Sequence, residues 1–284
     1  MTEPALDCAR RLPLAVFFAL AYGISWLIWA PLWLPAFGVS ALPVLPLHHA
    51  LGAVGPIAAA FALVAWERGL GGVRELLARM VAWRDRLPWL CLVVVGPLVV
   101  LGIAIAAAFV LTEARPTLSG IGRSREFPSF SVLSFVVYNV FSFGFGEEVG
   151  WRGYALPRLQ ARHSALGARL RLTLGWAVWH LPLFFYRPGY VGMGVGGIAG
   201  WLVSLLTGAV LLTWLYNASR GSLLVVALFH AMIDVIFTSD VSSPFVVNAT
   251  GALVTCWGLL VLVISGPRDL GRRTEEARNG PEAA

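Results

Sequence analysis

Eight long apolar segments dominate this chain of 284 residues. Only 13% of the residues are charged and 58% are hydrophobic, whereas a soluble domain carries about 25% charged residues. A helix of about 20 apolar residues crosses a bilayer, and hydrocarbon forces every backbone polar group to pair internally. We therefore expect one all-α polytopic membrane domain over 1–284, a bundle of about eight transmembrane helices around an intramembrane polar cavity. The predicted spans are 13–37, 44–66, 88–112, 130–146, 170–186, 198–216, 222–238 and 246–266.

The basic residues predict the orientation of this bundle. All 21 are arginines. If the N-terminus is cytoplasmic, 17 of them fall in cytoplasmic segments and four in the loops on the other side. The positive-inside rule then favours eight spans with both termini cytoplasmic, and we expect the plasma membrane of a prokaryotic cell. Since the arginines separate apolar runs, we expect them to contact membrane lipids and predict no nucleic-acid binding.

Three flanking features complete this organisation. The first apolar segment is longer than a signal-peptide core of about 7–15 residues, so we expect it to be retained as a helix. The spacing of apolar residues over 68–86 predicts an amphipathic surface helix. The polar tail at 267–284 is predicted to be disordered and cytoplasmic.

Spans four, five and seven are short, which is typical of helices inside a bundle or beside a cavity.

These three short spans carry ionisable residues, which membrane helices tolerate mainly at functional sites. In the segment 146–154, Glu148 and Arg152 stand four residues apart on one helix face and predict a structural ion pair. Glu147 points about 100° away and lacks such a partner, so we expect it to accept a proton. Charges lying among lipid headgroups are the alternative for this segment.

The other two short spans contain histidines. His180 lies in an apolar stretch that Pro182 should interrupt. His230 and Asp234 are four residues apart and share a helix face, so Asp234 could orient His230. A hydrogen-bonded core histidine, or a polar contact between helices, would explain the same residues.

A glutamate and two histidines from three helices suit hydrolysis by an activated water molecule. The sequence contains neither G-x-S-x-G nor H-E-x-x-H, and Cys8, Cys91 and Cys256 lack metal-ligand spacing. We predict no cofactor. Glutamate and histidine also bind zinc, so these residues leave a metal-dependent form open.

The three motifs together resemble those of the CAAX prenyl protease and bacteriocin-processing (CPBP, or Abi) family. The resemblance covers roughly 130–240 and rests on Glu147-Glu148-x-x-x-Arg152, on His180 four residues after an aromatic residue, and on His230-x-x-x-Asp234. It extends to the flanking residues of each motif. It implies a glutamate-type intramembrane endopeptidase with its catalytic core in this region, acting on a hydrophobic or lipidated peptide.

The resemblance also implies a role for each residue. Glu147 and His180 would activate water, His230 and Asp234 would stabilise the oxyanion, and Arg152 would hold Glu148. Two positions depart from the family pattern. Trp176 stands where the family usually has Phe, which we expect to matter little. Asp234 stands where it usually has Asn; an ionised Asp would repel an oxyanion, so we predict that Asp234 orients His230 instead.

Other functions remain compatible with the same residues. The chain could be a non-catalytic membrane binding protein or a bacteriocin self-immunity protein that uses the same fold. A transporter or proton relay also places Glu, His and Asp within helices. A single cluster without inverted repeats counts against transport.

Overall fold

The computed structural model describes residues 3–40, 42–113, 115–124, 126–241, 243–266 and 270–271. Within these ranges the regular structure is entirely helical, which confirms the predicted fold class. Most of the predicted tail at 267–284 lies outside the described residues. The helices are α1 (Glu3–Trp33), α2 (His48–Gly52), α3 (Gly55–Met80), α4 (Leu87–Leu111), α5 (Val132–Gln160), α6 (Ala165–Trp179), α7 (Val195–Ala218), α8 (Leu223–Thr238) and α9 (Pro244–Ser265).

The surface of the bundle is apolar. Within the described residues, six helical segments are long and apolar enough to cross a membrane: Pro13–Phe37, His48–Met80, α4, α5, α7 and α9. Large apolar side chains on several of them face outward, such as Leu27, Val110 and Val263, which are 76%, 81% and 80% exposed. Exposed apolar surface of this extent requires a hydrocarbon environment. The chain is therefore an integral membrane protein.

Predicted spans five and seven are short helices, and the second of them lies inside the bundle. They correspond to α6 and α8, with 15 and 16 residues. The α8 helix packs against α3, α4, α5 and α7, so most of its side chains are buried. A helix that is enclosed by other helices does not have to match the thickness of the bilayer, so it can be shorter than a membrane span.

Predicted span four was wrong in length. The helix begins at Val132 as expected but continues to Gln160, well past the predicted end at 146. The span was predicted to end at 146 because charged residues usually lie outside the hydrocarbon core of the membrane. In the structure Glu148 and Arg152 are both 0% exposed and paired with each other, so the helix passes through them without reaching water.

The predicted surface helix at 68–86 is joined to span two. The α3 helix runs on to Met80, with a break at Gly69, where φ is 59° and ψ is −158°. Glycine adopts this backbone conformation without a steric cost. The change of direction at Gly69 separates the apolar half of α3 from its arginine-bearing half.

Glycines bring α5 close to its neighbours. A Cβ added to Gly144 would lie 2.5 Å from the carbonyl oxygen of Ala227 on α8, and one on Gly150 would lie 2.5 Å from Pro56 on α3. The turns at Val140–Phe145 and Val149–Ala155 are π-helical and flank the two glutamates. Turns of this kind are frequent at functional sites. The glutamates are thus held where α5 is in closest contact with α3 and α8.

Gly150→Ala should lower the stability of the protein. The added methyl group would meet the Pro56 backbone and force α3 and α5 apart, at a cost of about 1–3 kcal/mol. We expect the midpoint of thermal unfolding in detergent to fall by several degrees.

Gly102→Ala is the matched control, because a Cβ at this position of α4 meets no atom within 4 Å. Its unfolding midpoint should stay unchanged or rise, since alanine favours a helix over glycine. Equal losses in both variants would contradict the packing role of Gly150.

Candidate active site

The carboxylate of Glu148 joins α5 to α8. Its Oε1 accepts a hydrogen bond from Nη1 of Arg152 at 2.8 Å and one from Nδ1 of His230 at 2.7 Å. The helical spacing predicted the Arg152 contact. The His230 contact spans 82 positions of the chain and depends on tertiary packing. His230 must carry a proton on Nδ1, because the carboxylate oxygen accepts.

Glu147 has a different environment from its neighbour. It is 3% exposed, and its Oε2 accepts hydrogen bonds from the indole N–H of Trp176 at 2.7 Å and of Trp151 at 3.4 Å. The sequence predicted that Glu147 lacks an ion-pair partner, and it did not predict these two donors. Among the described residues it takes part in no ion pair, but two tryptophans hold it. Tryptophan counts as an apolar residue in a sequence pattern, and its single donor becomes apparent only in three dimensions.

His180 lies where α6 ends, and the turn Leu181–Phe185 that contains Pro182 follows it, as the sequence predicted. Its Nδ1 is 2.7 Å from the carbonyl oxygen of Trp176. A carbonyl can only accept, so Nδ1 carries the hydrogen and the neutral ring has its lone pair on Nε2. The rings of Tyr190 and Trp201 flank the imidazole at centroid distances of 6.3 and 5.7 Å.

Asp234 lies within ion-pair distance of His230 but is not hydrogen-bonded to it. The distance from its Oδ2 to Nε2 of His230 is 3.7 Å, too long for a hydrogen bond. The atom that orients the imidazole is Oε1 of Glu148, on the other ring nitrogen. Spacing of four residues brought Asp234 and His230 to one face of α8, but the closer acceptor came from a different helix.

Trp176 contacts polar groups on both α5 and α8. Its indole donates to Glu147, its ring lies 5.1 Å from the guanidinium carbon of Arg152, and its centroid is 5.5 Å from that of His230. A guanidinium at this distance from an aromatic face is attracted to it. Trp in place of Phe at this position therefore adds a hydrogen-bond donor to the site, so the difference matters more than expected.

These residues line one large cavity. Its volume is about 1170 Å³, and Glu147, His180, His230 and Asp234 all contribute to its wall together with Trp176. The structure thus brings together all four residues predicted to be catalytic. The rest of the wall is largely aromatic and aliphatic. Within the described ranges, no group of three or more His, Cys, Asp or Glu side chains lies close enough together to hold a metal ion.

A comparison with known protein families finds a match over the part of the chain that contains the site. Residues 129–236 match the family described as type II CAAX prenyl endopeptidases, Rce1-like. This segment resembles an Rce1-like endopeptidase. It holds α5, α6, α7 and most of α8, and with them every residue of the site. The resemblance read from the three motifs is therefore confirmed over this segment.

A curated relative supports the same similarity. The protein named CAAX prenyl protease 2 of Methanococcus maripaludis is 32% identical over 92 residues. The match covers 31% of this chain and 34% of the relative. The chain thus spans about a third of the length of that protein.

Arg152→Met should strongly destabilise the fold. It leaves the carboxylate of Glu148 buried without its cation, and breaking a buried pair in this way costs about 3–5 kcal/mol. Thermal unfolding in detergent, followed by tryptophan fluorescence, should show a marked loss. Adding Glu148→Gln to the same protein should recover part of it, because the amide has no charge and its oxygen can still accept from His230.

Arg68→Met is the matched control. Arg68 pairs with Glu75 across the break in α3, and both side chains are about half exposed. Exposed ion pairs contribute only about 0–1 kcal/mol. A loss at Arg68 equal to that at Arg152 would show that burial does not set the energy of the Glu148 pair.

Proposed function

We propose that this protein is an intramembrane endopeptidase that hydrolyses a peptide bond in a hydrophobic or lipidated peptide. The observation that carries this proposal is the convergence of Glu147, His180 and His230, from three different helices, on one largely apolar cavity. General bases and oxyanion donors on one side of an apolar cavity are the components of acyl hydrolysis. The similarity of residues 129–236 to the Rce1-like endopeptidases supports it.

In the proposed reaction, Glu147 acts as the general base. One of its oxygens, Oε2, is held by the indole of Trp176, which fixes the carboxylate in the cavity wall. The carboxylate takes a proton from a water molecule while the water oxygen forms a bond to the carbonyl carbon. His180 acts with it, since the lone pair on Nε2 can accept a hydrogen bond from the same water.

The carbonyl oxygen becomes an oxyanion in this step and needs a donor. We assign this role to Nε2 of His230, which donates when the ring carries protons on both nitrogens. Glu148 holds the opposite nitrogen, so the direction of Nε2 is fixed before the substrate binds. The tetrahedral intermediate then breaks its C–N bond, and the leaving amine takes the proton from Glu147.

Glu148 and Arg152 position this machinery without touching the substrate in the proposed mechanism. Their ion pair holds α5, and the contact of Glu148 with His230 holds α8 against it. Preorganised donors of this kind give a large part of the rate enhancement in acyl transfer. The arrangement therefore explains why one of two adjacent glutamates is paired while the other lines the cavity.

The cavity suits a peptide segment. Pockets for small ligands measure about 300–1,000 Å³, and the cavity here is larger, at about 1170 Å³. Its aromatic and aliphatic wall would bind an apolar peptide or a lipid chain. In this proposal the protein acts in a prokaryotic plasma membrane, with membrane lipids around it and no metal ion in the reaction.

Glu147→Gln should abolish cleavage while leaving the fold intact, because the amide is isosteric and cannot accept the proton. General bases contribute about 10²–10⁴-fold, so the rate should fall at least 100-fold. The measurement incubates purified protein with plain and farnesylated peptide libraries and reads products by mass spectrometry. A requirement for the farnesyl chain appears directly in the same experiment.

Glu75→Gln is the control, since Glu75 is exposed and lies outside the cavity. It should cleave like the wild type. Cleavage by the Glu147→Gln variant would show that another residue is the base. Absence of cleavage in the wild type as well would favour a binding or immunity protein. Loss of activity on chelation, restored by zinc, would replace the metal-free mechanism by a metal-dependent one.

Asp234→Asn should preserve or raise kcat/KM. Asp234 lies too far from Nε2 of His230 to orient it, and an amide removes a negative charge near the oxyanion while adding a donor. Asp85→Asn on an exposed loop is the control. A loss of more than tenfold in the Asp234 variant, with a normal unfolding midpoint, would assign an essential role to the ionised carboxylate.

A further inference from the structure

Among the described residues, those that line the cavity extend from the site toward one end of the bundle. On α5 its lining positions run from 135 to 147, in the first part of the helix, and on α9 from 247 to 256, again in the first part. On α8, which runs in the opposite direction, they run from 229 to 238, in the second part. All three ranges lie in the same half of the bundle. The loop residues Glu126 and Arg187 also line the cavity and are at this end, which we call the open end.

The opposite end of the bundle is closed by side chains. Arg79 donates to the hydroxyl of Tyr216 at 2.7 Å and to the carbonyl of Gly221 at 3.1 Å. Arg86 donates to the carbonyl of Ser219 at 2.9 Å. Beneath these contacts Tyr154 and Leu223 are 0% exposed. Within the part of the chain that the structure describes, a peptide therefore has no route to the site through this arginine-rich end.

The distribution of charge indicates which end faces the cytoplasm. The segments 67–87 and 152–171 each contain five arginines. Two of these ten, Arg152 and Arg169, are buried, and the other eight remain as topology signals. The open end has three arginines in 112–131, plus Arg187, which pairs with Glu126. Short segments rich in arginine stay in the cytoplasm.

From these observations we infer that the cavity opens on the non-cytoplasmic side of the membrane. This inference rests on the proposed function and deepens it by naming the substrate class. The substrate is an apolar peptide segment of an exported or membrane-anchored protein, which reaches the site from outside the cytoplasm. A prenylated C-terminus on a cytosolic protein would meet the closed, arginine-rich end.

The side of the opening can be measured by labelling single cysteines. In a protein whose native cysteines are replaced (Cys8→Ser, Cys91→Ala, Cys256→Ala), we would introduce Thr238→Cys at the open end or Ala161→Cys at the arginine-rich end. Both positions are exposed. In spheroplasts, a charged maleimide that does not cross membranes should label the Thr238→Cys variant and should label the Ala161→Cys variant only after detergent is added.

The reverse labelling pattern would overturn the inference. Ser129→Cys, at a second exposed position of the open end, serves as an independent variant in case Thr238→Cys folds poorly. The two open-end variants should agree, because they lie at the same end of α5 and α8.

A cleavage assay separates this inference from the proposed function. A peptide carrying a charged tag that does not cross membranes is added outside spheroplasts that contain the wild type, with the Glu147→Gln variant as the blank. We expect cleavage by the wild type only. Cleavage by the purified protein but not by spheroplasts, together with labelling of Ala161→Cys from outside, would refute the sidedness and leave the peptidase intact. Labelling as predicted, without cleavage by the purified protein, would refute the peptidase and leave the sidedness intact.

Discussion

The rest of the structure depends on the burial of one carboxylate. Glu148 is 0% exposed in a membrane protein, where an unpaired charge costs several kcal/mol. Its two partners come from different helices, Arg152 on α5 and His230 on α8. The need to satisfy this charge therefore fixes the rotation of α5 relative to α8. Glu147 on α5 and Asp234 on α8 take their positions from that pair of helices.

Glu147 shows how adjacent residues of one type come to differ. Helical geometry turns the two carboxylates about 100° apart, so that one faces the ion pair and the other the cavity. The partners of Glu147 are indoles, which hold the carboxylate without supplying a positive charge. A carboxylate held in this way remains able to take up a proton. The shape of the cavity determines the side from which a substrate can enter, because the open end of the bundle leads to the site and the other end is closed.

Much of the site could be predicted because helical spacing is local. The Glu148–Arg152 contact, the helix end beside Pro182 and the apolar spans follow from residues close together in the chain. The errors have a common physical origin. The length of α5 was underestimated because polarity was read as exposure, whereas pairing of Glu148 with Arg152 allows the helix to continue. No hydrogen bond joins Asp234 to His230, and the hydrogen bond of the imidazole goes to Glu148 on another helix. Trp176 in place of Phe was expected to matter little because both side chains are apolar. The effect of its indole N–H depends on a carboxylate within hydrogen-bond distance, which only the tertiary structure provides.

The sequence by itself determined that this chain is a helical membrane protein with three polar motifs at membrane depth, since hydrophobicity and helical periodicity are properties of contiguous residues. The separation of one ion-paired glutamate from one without an ion-pair partner was also visible in the spacing. Only the tertiary structure decided which histidine nitrogen meets which acceptor, which tryptophan holds Glu147 and at which end the cavity opens. These depend on distances between helices that are far apart in the chain, and those distances are set by close packing at Gly144 and Gly150 and by the burial of Glu148.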